Sequence, residues 1–500
     1  MLSLNGHLNS GFFQYQKTIF SAGKKIGSRC YYRFKIKEYS DFNKILFVLK
    51  IAGKDVQLKN ISFGKYFPIS KLQKSYFYEK GKCLESIDNG IIIRRIGKAK
   101  AILKEIQFQW SLIRKNGLKG LKWSLRRSFI IFLRKLFPEN LWLITDKACK
   151  AGDNAEALFR YLSAKRDRKC YPIFIINKNS PDYESIKKCG IVIPYMSYRH
   201  KFLHYVAKHT ISSYSHIEIS TPFFANTHYF ADLQQRNKIV FLQHGVIHND
   251  VSDVLNKYNK NYSLFVVSSY KEKQEILRYG YHDDEVILTG LPRFDFLTKR
   301  AKKIICVMPT FRSSLVGKMD AKTSTYSVKE GFKLSNYYKT FESLFKNRLF
   351  LNALESHGYI VKFVVHPVLQ IYFSDFKALE NDFVKILSNE VSYKNVLSEC
   401  SLMITDYSSV AFDFAFLRKP ILYYQFETLD HYKKGYFDYK SDGFGEVVVF
   451  EDELIRKVSY YLSTDCQLEN EYRDRIENFF NFDESKCCER VYEEILKMDN

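Results

Sequence analysis

Short alternating stretches dominate residues 28–97, and two other patterns follow. Tyr31-Tyr32-Arg33-Phe34-Lys35-Ile36-Lys37 alternates apolar and basic positions, residues 45–49 are an apolar run, and residues 61–63 and 90–93 are further short runs between Gly, Asn and Asp turn signals. Period-two alternation bounded by such residues predicts strands, so a small β-rich module is expected over 1–97. Residues 98–137 change to helical spacing. From residue 141 the texture changes again, to unbroken apolar runs alternating with helical stretches. The runs 141–144, 172–176, 191–193, 238–242 and 264–267 form one series, with helices predicted at 154–162 and 182–189. A second series follows at 303–308, 361–365, 402–404 and 421–424, with helices at about 337–356, 392–398 and 409–418. Runs that are apolar on both faces, alternating with helices, imply parallel sheets covered on both sides. The fold class expected is therefore α/β, with two Rossmann-like domains over 140–298 and 299–500, joined near 292–302. The β-rich module and a basic segment at 98–139 precede them.

Charge adds to this picture. The 500 residues exceed one hydrophobic core, and a net charge of +24 implies an anionic partner: nucleic acid, anionic lipid or a phosphorylated substrate. No RRM, KH or zinc-finger pattern is present, which argues against nucleic acid. In 98–137, eleven Lys and Arg residues, among them Lys98, Arg114, Lys115, Lys119, Lys122 and Arg126, face Glu105 as the one acid, interleaved with Trp110, Trp123, Phe129 and Phe132. Basic and aromatic residues at helical spacing describe a helix lying in a membrane interface. A linker helix packed on its neighbours, with a solvated basic face, is the alternative. Ten scattered cysteines without CxxC pairs suggest neither a disulfide framework nor a zinc site, and fit a reducing compartment. The first twenty residues lack a signal-peptide pattern, and no apolar stretch of about 18 residues predicts a spanning helix. No metal and no cofactor are expected.

Ligands of doubly wound sheets bind beyond the carboxyl ends of the strands. Three predicted strand ends carry chemistry there. Residues 240–242 run into Gln243-His244-Gly245, placing an imidazole, the natural base at neutral pH, beside a glycine that allows close backbone approach. Residues 361–365 run into His366-Pro367 in the second series. A lone histidine ending a strand more often caps a turn, but one per domain suggests two imidazoles facing across a cleft. Residues 402–404 run into Thr405-Asp406-Tyr407-Ser408-Ser409, where serines open a helix whose N–H groups suit phosphate. An ordinary serine N-cap is the simpler alternative. Asp413 lies one turn on, placed to accept from a donor hydroxyl or to fix a neighbouring histidine. Pro309-Thr310-Phe311-Arg312 ends another strand with a guanidinium suited to phosphate. Gly152-Asp153-Asn154 opens the first domain's first helix, and Arg293 lies in a Gly/Pro hinge.

The ordered set Gln243-His244-Gly245, Pro309-Thr310-Phe311-Arg312, His366-Pro367 and Thr405 to Ser409 with Asp413 resembles the CDP-glycerol glycerophosphotransferase family, the teichoic-acid primases and polymerases and their capsule-locus relatives. The resemblance covers about residues 140–460. It implies a GT-B-like pair of domains, the first on the acceptor side and the second on the CDP-donor side, with peripheral attachment to the cytoplasmic face of the membrane. By resemblance, His244 is the general base and His366 its partner at the donor phosphate. Thr310, Arg312, Ser408 and Ser409 would hold the pyrophosphate, with Asp406 and Gly245 in the same site, and Asp413 would serve the polyol or its orientation. The stretch from His431 to Tyr436 resembles a late tyrosine-and-glycine segment, with Lys434 where the family pattern has an arginine. The implied partners are a CDP-polyol, a lipid-linked or polymer acceptor and an anionic membrane surface; a homo-oligomer is left open. A glycosyltransferase using a sugar nucleotide and a non-catalytic membrane scaffold are the competing readings.

Overall fold

In the computed structural model, residues 90–500 are described except 135, 138–139, 216–229, 231–232, 234–236, 261, 321–324, 389–390, 430–432, 481–484 and 500; before them, 2–7, 24–26, 29–31, 42–51, 54–57, 76–79 and 81–87 are described. Leu2–His7, Phe42–Ile51, Lys54–Gln57, Tyr76–Glu79, Lys82–Ile87 and Gly90–Arg95 pair as a six-stranded antiparallel sheet. The expected runs at 45–49 and 90–93 lie in it; those at 32–37 and 61–63 fall outside the described residues.

The basic segment is helical over Lys98–Leu133, but it is not one rod. Gly117 has φ 56°, a left-handed backbone that only glycine adopts cheaply, and the chain reverses there. Arg127, 2% exposed, reaches back across the turn to Glu105, with Nη2 donating to Oε2 at 2.8 Å. Phe108, Leu112 and Ile130 fill the inside of this helical hairpin and pack with Tyr205 of the first domain. Its other side leaves Ile102, Leu103, Ile106, Trp110, Leu118, Leu125, Phe129 and Phe132 more than half exposed. Among the described residues no helix is long and apolar enough to cross a membrane.

The first parallel sheet contains β1 (Leu141–Thr145), β2 (Tyr171–Ile176), β3 (Ile191–Pro194), β4 (His209–Ser212), β5 (Lys238–Phe241), β6 (Leu264–Val267) and β7 (Val286–Leu288), in the order 3-2-1-4-5-6-7. The second contains β8 (Ile304–Val307), β9 (Ile360–Val364), β10 (Val384–Leu387), β11 (Leu402–Thr405), β12 (Ile421–Tyr424) and β13 (Gly445–Val448), in the order 10-9-8-11-12-13. Every neighbour pair in both sheets is parallel. β1, β8, β11 and β12 are buried throughout, as their unbroken apolar sequences require. Each such side chain contributes about 1.5–3 kcal/mol on burial. In both sheets the strand order reverses beside the first strand, between β1 and β4 and between β8 and β11, which opens a crevice at the carboxyl ends.

The expected helix over 337–356 is two helices, Asn336–Lys346 and Arg348–His357. Asn347 breaks it, because its side chain accepts from Leu349 N at 3.0 Å and so caps the second helix. The chain ends by crossing back: helix Cys487–Lys497 is capped by Asp295, which accepts from the Cys487 and Cys488 amides at 2.8 Å each. Tyr492 then donates to Asp167 of the first domain at 2.6 Å.

Candidate active site

A left-handed backbone turn lies at the end of β5. Gln243 has φ 66°, a strained value for a residue with a side chain. Its surroundings hold it there. Gln243 Nε2 donates to Glu272 Oε1 at 3.0 Å and to the Val266 carbonyl, while the Gln243 carbonyl accepts from Asn154 Nδ2 at 2.8 Å. Glu272 also accepts from the amides of Ile247 at 2.7 Å and Ser268 at 2.6 Å. The turn buries Gln243 and leaves the His244 side chain 60% exposed.

His244 is oriented as well as presented. Its Nδ1 is bonded to the carboxylate of Asp153, which is itself buried. Burial alone would raise the Asp153 carboxyl, but His244 and Arg293 outweigh it and hold Asp153 below the ordinary carboxylate range. A carboxylate at Nδ1 fixes the tautomer with the proton on that nitrogen, which leaves Nε2 as the basic atom. Nε2 points toward Tyr214, whose hydroxyl is 3.4 Å away and whose ring lies 4.6 Å from the imidazole.

Asp153 is the N-cap of helix Asn154–Lys165 and accepts from Asn154 N at 2.8 Å. Behind it Asp146, one residue past β1, accepts from the amides of Asp153, Ala155 and Glu156 at 3.0–3.1 Å and from Ser213 Oγ at 2.6 Å. The helix N-terminus is thus occupied by protein carboxylates. Burial first, then neighbouring Asp153, pushes the Asp146 carboxyl up to about 8.

Arg293 joins the two domains at this point. Its Nη1 donates to Asp153 Oδ1 at 2.6 Å and to the His244 carbonyl; its Nε and Nη2 donate to the two oxygens of Asp413 at 2.6 and 2.8 Å. Asp413, 2% exposed on helix Val410–Phe416, is therefore linked to His244 through Arg293 and Asp153. Gly245 faces Ser409 across the domain boundary: a Cβ at Gly245 would lie 2.6 Å from Ser409 Oγ. Three residues on, His248 Nε2 bonds the Tyr407 carbonyl at 3.1 Å. Asn249 and Lys434 form an isolated antiparallel bridge.

His366 lies past the end of β9, with its ring 4.8 Å from that of Phe311. Its Nδ1 accepts from Val368 N at 3.2 Å, so the neutral ring carries its proton on Nε2 and donates there. Burial, together with the nearby positive charge of Lys147 and His244, lowers its pKa to about 4. The two histidines and Lys147 therefore share one electrostatic environment. Lys147, two residues past β1, places its ammonium 4.8 Å from the centre of the Tyr214 ring and makes no ion pair among the described residues.

The Pro309 to Arg312 segment and Asp406 form a fixed unit. Asp406, fully buried, accepts from Thr310 N at 2.8 Å, Tyr407 N at 2.6 Å and Arg312 Nη1 at 2.8 Å. Arg312 Nε is taken by Glu427 at 2.7 Å, and the guanidinium lies between the rings of Tyr337 and Phe426 at 5.4 Å from each. Its remaining Nη2 and the Thr310 hydroxyl are buried without a hydrogen-bond partner among the described residues. Ser408 Oγ accepts weakly from Val410 N at 3.4 Å, and Ser408 and Ser409 stay partly exposed. Lys434 pairs with Asp438 at 3.0 Å and is 71% exposed; His431 and Tyr432 lie outside the described residues.

The structure thus brings His244, Gly245, Ser409 and Asp413 together, and His366 feels the charges of His244 and Lys147. It turns Arg312 and Asp406 toward each other and leaves Lys434 at the surface. Sequence reasoning passed over Lys147, Tyr214, Asp146 and Glu272 and undervalued Asp153 and Arg293. Asp146-Lys147 follows an apolar strand just as the three chosen motifs do, and that position was the available signal. Tyr214 follows the polar strand His209–Ser212, which periodicity does not reveal.

A family model described as CDP-glycerol:poly(glycerophosphate) glycerophosphotransferase matches residues 127–497. The minor teichoic acid biosynthesis protein GgaB of Bacillus subtilis (strain 168) is 36% identical over 464 residues, covering 90% of this chain and 50% of that protein. A teichoic acid poly(ribitol-phosphate) polymerase of Bacillus spizizenii is 26% identical over 48% of this chain and 38% of its own length. The chain spans about half or less of the length of these curated relatives. Solved structures of the wall teichoic acid polymerase TagF share the fold, with TM-scores of 0.55 and 0.52 at 14% and 16% identity, covering 79% and 81% of this chain and 98% of each of those.

Proposed function

The chain belongs to the CDP-glycerol:poly(glycerophosphate) glycerophosphotransferase family, and from that premise we propose that it transfers a polyol phosphate, glycerol or ribitol phosphate, from a CDP-activated donor to a hydroxyl of a cell-envelope polymer. One observation supports the reading most: an outward imidazole, fixed by a buried carboxylate, lies where the carboxyl ends of two parallel sheets meet, near a second, neutral histidine and a lysine that makes no ion pair among the described residues.

The acceptor hydroxyl attacks the polyol-bearing phosphorus while His244 Nε2 takes its proton. The new P–O bond forms as the bond to the CMP phosphate breaks, and CMP leaves with the electron pair. Asp153 stabilises the imidazolium that results. Negative charge on the phosphoryl oxygens is met by Lys147 and by the neutral His366 Nε2–H, with the Ser408 and Ser409 hydroxyls beside them; placed charge of this kind supplies most of the catalysis in phosphoryl transfer. Arg312, Thr310 and Asp406 act one layer back, holding the loops at the ends of β8 and β11 in register. Asp413 acts on His244 through Arg293 and Asp153.

The exposed apolar and basic residues of the helical hairpin support docking at an anionic membrane surface, where such an acceptor would be anchored. Its exposed Trp110, Leu118, Leu125 and Phe129 would enter the headgroup boundary while Arg114, Lys115, Lys119 and Lys122 meet anionic lipid at about 1 kcal/mol each.

The test is CMP release from CDP-glycerol and CDP-ribitol, against UDP release from UDP-sugars, with an envelope extract as acceptor. Acceptor-dependent CMP is the expected result. UDP instead would make the protein a glycosyltransferase, and release of neither would favour a scaffold.

A further inference from the structure

Arg293 is the one side chain described here that touches the histidine's own carboxylate partner, the histidine's backbone and the opposite domain at once. Its guanidinium is about four-fifths shielded from solvent, with a side-chain exposure of 19%, and Asp153 and Asp413 are more shielded still at 8% and 3%. All its described acid partners come from two elements: the cap of helix Asn154–Lys165 in the first domain and helix Val410–Phe416 in the second. Arg293 itself follows β7, in the short 3-10 turn Pro292–Phe296 of the connector between the sheets. Its backbone is fixed as well, since its amide donates to Asn154 Oδ1 at 3.1 Å. It can therefore hold both carboxylates only when the second domain is docked in the arrangement seen here.

We propose that Arg293 is a positioning residue that makes the readiness of His244 to accept a proton depend on domain docking, through the continuous chain His244–Asp153–Arg293–Asp413. This rests on His244 being the base, as set out above.

The charge pattern explains how. With His244 neutral, the cluster carries two carboxylates against one guanidinium, an excess of one negative charge; protonation of His244 balances it. Docked, Asp413 draws part of the Arg293 charge away from Asp153, and Asp153 is left free to support an imidazolium. Undocked, Arg293 would neutralise Asp153 alone and His244 would lose that support. Among the described residues, the other titratable groups near His244 are Tyr214 against its ring, Lys147 over the Tyr214 ring, and His366, and none of these three bonds to Asp413. A guanidinium suits the task because its planar fork serves two carboxylates at once, which an ammonium cannot do with the same geometry.

The experiment is direct titration of His244 by NMR on the full chain carrying 13C-labelled histidine, with the resonance assigned from His244→Gln, and with no donor present. Arg293→Gln removes the positive charge and is expected to raise the His244 pKa by about one unit; Asp413→Asn releases Arg293 onto Asp153 and is expected to lower it by about half a unit. The double variant Arg293→Gln/Asp413→Asn removes one charge of each sign and is expected to fall between the two single variants. Opposed shifts are the signature, since loosening of the interface alone would move both variants in one direction. Shifts in the same direction, or none, overturn the proposal. If Arg293→Gln does not fold, Asp413→Asn decides it: a lowered pKa supports the coupling, and an unchanged or raised one removes it. CMP release by His244→Ala, measured separately, tests the base assignment, so failure of the coupling and failure of the catalytic reading give different results.

Discussion

Glu272 Oε1 accepts from Gln243 Nε2 at 3.0 Å, so a carboxyl on the helix after β6 holds the residue immediately before His244. Burial pushes this carboxyl up from 4.5 to about 7, against the pull of three N–H donors from Ser268, Ile247 and Gln243. A raised carboxyl pKa means that the folded state binds a proton the unfolded state has already released. Through this group, stability is therefore greatest below about 4.5 and declines as pH rises to about 7. Glu272→Gln should remove that part of the slope, as read by urea unfolding at pH 5, 6 and 7. The amide also sets an NH2 against a backbone N–H, and a cost of about 1–3 kcal/mol is expected.

His366 has the opposite sign. Its pKa is depressed to about 4 by burial and by the charges of Lys147 and His244. The stability it contributes is complete above about 6.5 and is lost as pH falls toward 4. His366→Gln should flatten the acid side of the stability profile. His366→Leu, which has no N–H to offer, should lower turnover by about 10²-fold, the effect of losing one placed donor at a developing oxyanion. Unchanged turnover would remove His366 from the phosphate site.

Lys147→Met keeps most of the side chain's bulk and removes its charge. Because the ammonium makes no ion pair among the described residues, the fold should tolerate the change to within about 0.5 kcal/mol. CMP release should nevertheless fall by about 10²-fold. A stable variant with full activity would return the phosphate site to Arg312.

Gly245→Ala tests the contact between the domains. The added methyl would meet Ser409 Oγ at 2.6 Å, so the loops must part, at a cost of about 1–3 kcal/mol. Adding Ser409→Gly removes the obstruction and should restore much of the thermal stability, as scanning calorimetry would show. No recovery would mean that the alanine acts through its own loop.

Much of the architecture was legible because buried parallel strands leave unbroken apolar runs: β1, β2, β5, β6, β8, β9, β11 and β12 all lie where such runs predicted them. His209–Ser212 was not legible, since His209 and Ser212 are buried through partners, among them Asp499 at 3.0 Å, that only the folded chain brings near. The break at Gly117 was hidden too, because basic and apolar residues keep helical spacing on both sides of it. At the candidate site, position after a strand singled out His244 and His366. What a side chain faces was invisible: Arg312 read as a phosphate contact and Arg293 only as part of a hinge, yet Arg312 is enclosed by Asp406 and Glu427 and Arg293 bridges Asp153 and Asp413.

The membrane reading has its own check. The full chain should float with vesicles containing phosphatidylglycerol, lose binding at high salt, and lose it again when Trp110, Leu118 and Leu125 become serine. Equal flotation of that variant would make the hairpin a linker with a solvated face.

CMP release from CDP-glycerol and CDP-ribitol with envelope acceptor, comparing the unaltered protein with His244→Ala, decides whether His244 is the base of a polyol-phosphate transfer. Acceptor-dependent CMP from one of the donors is expected, with a drop of about 100-fold or more in the variant and its fold intact by circular dichroism. CMP release by a folded His244→Ala protein at the unaltered rate would contradict it.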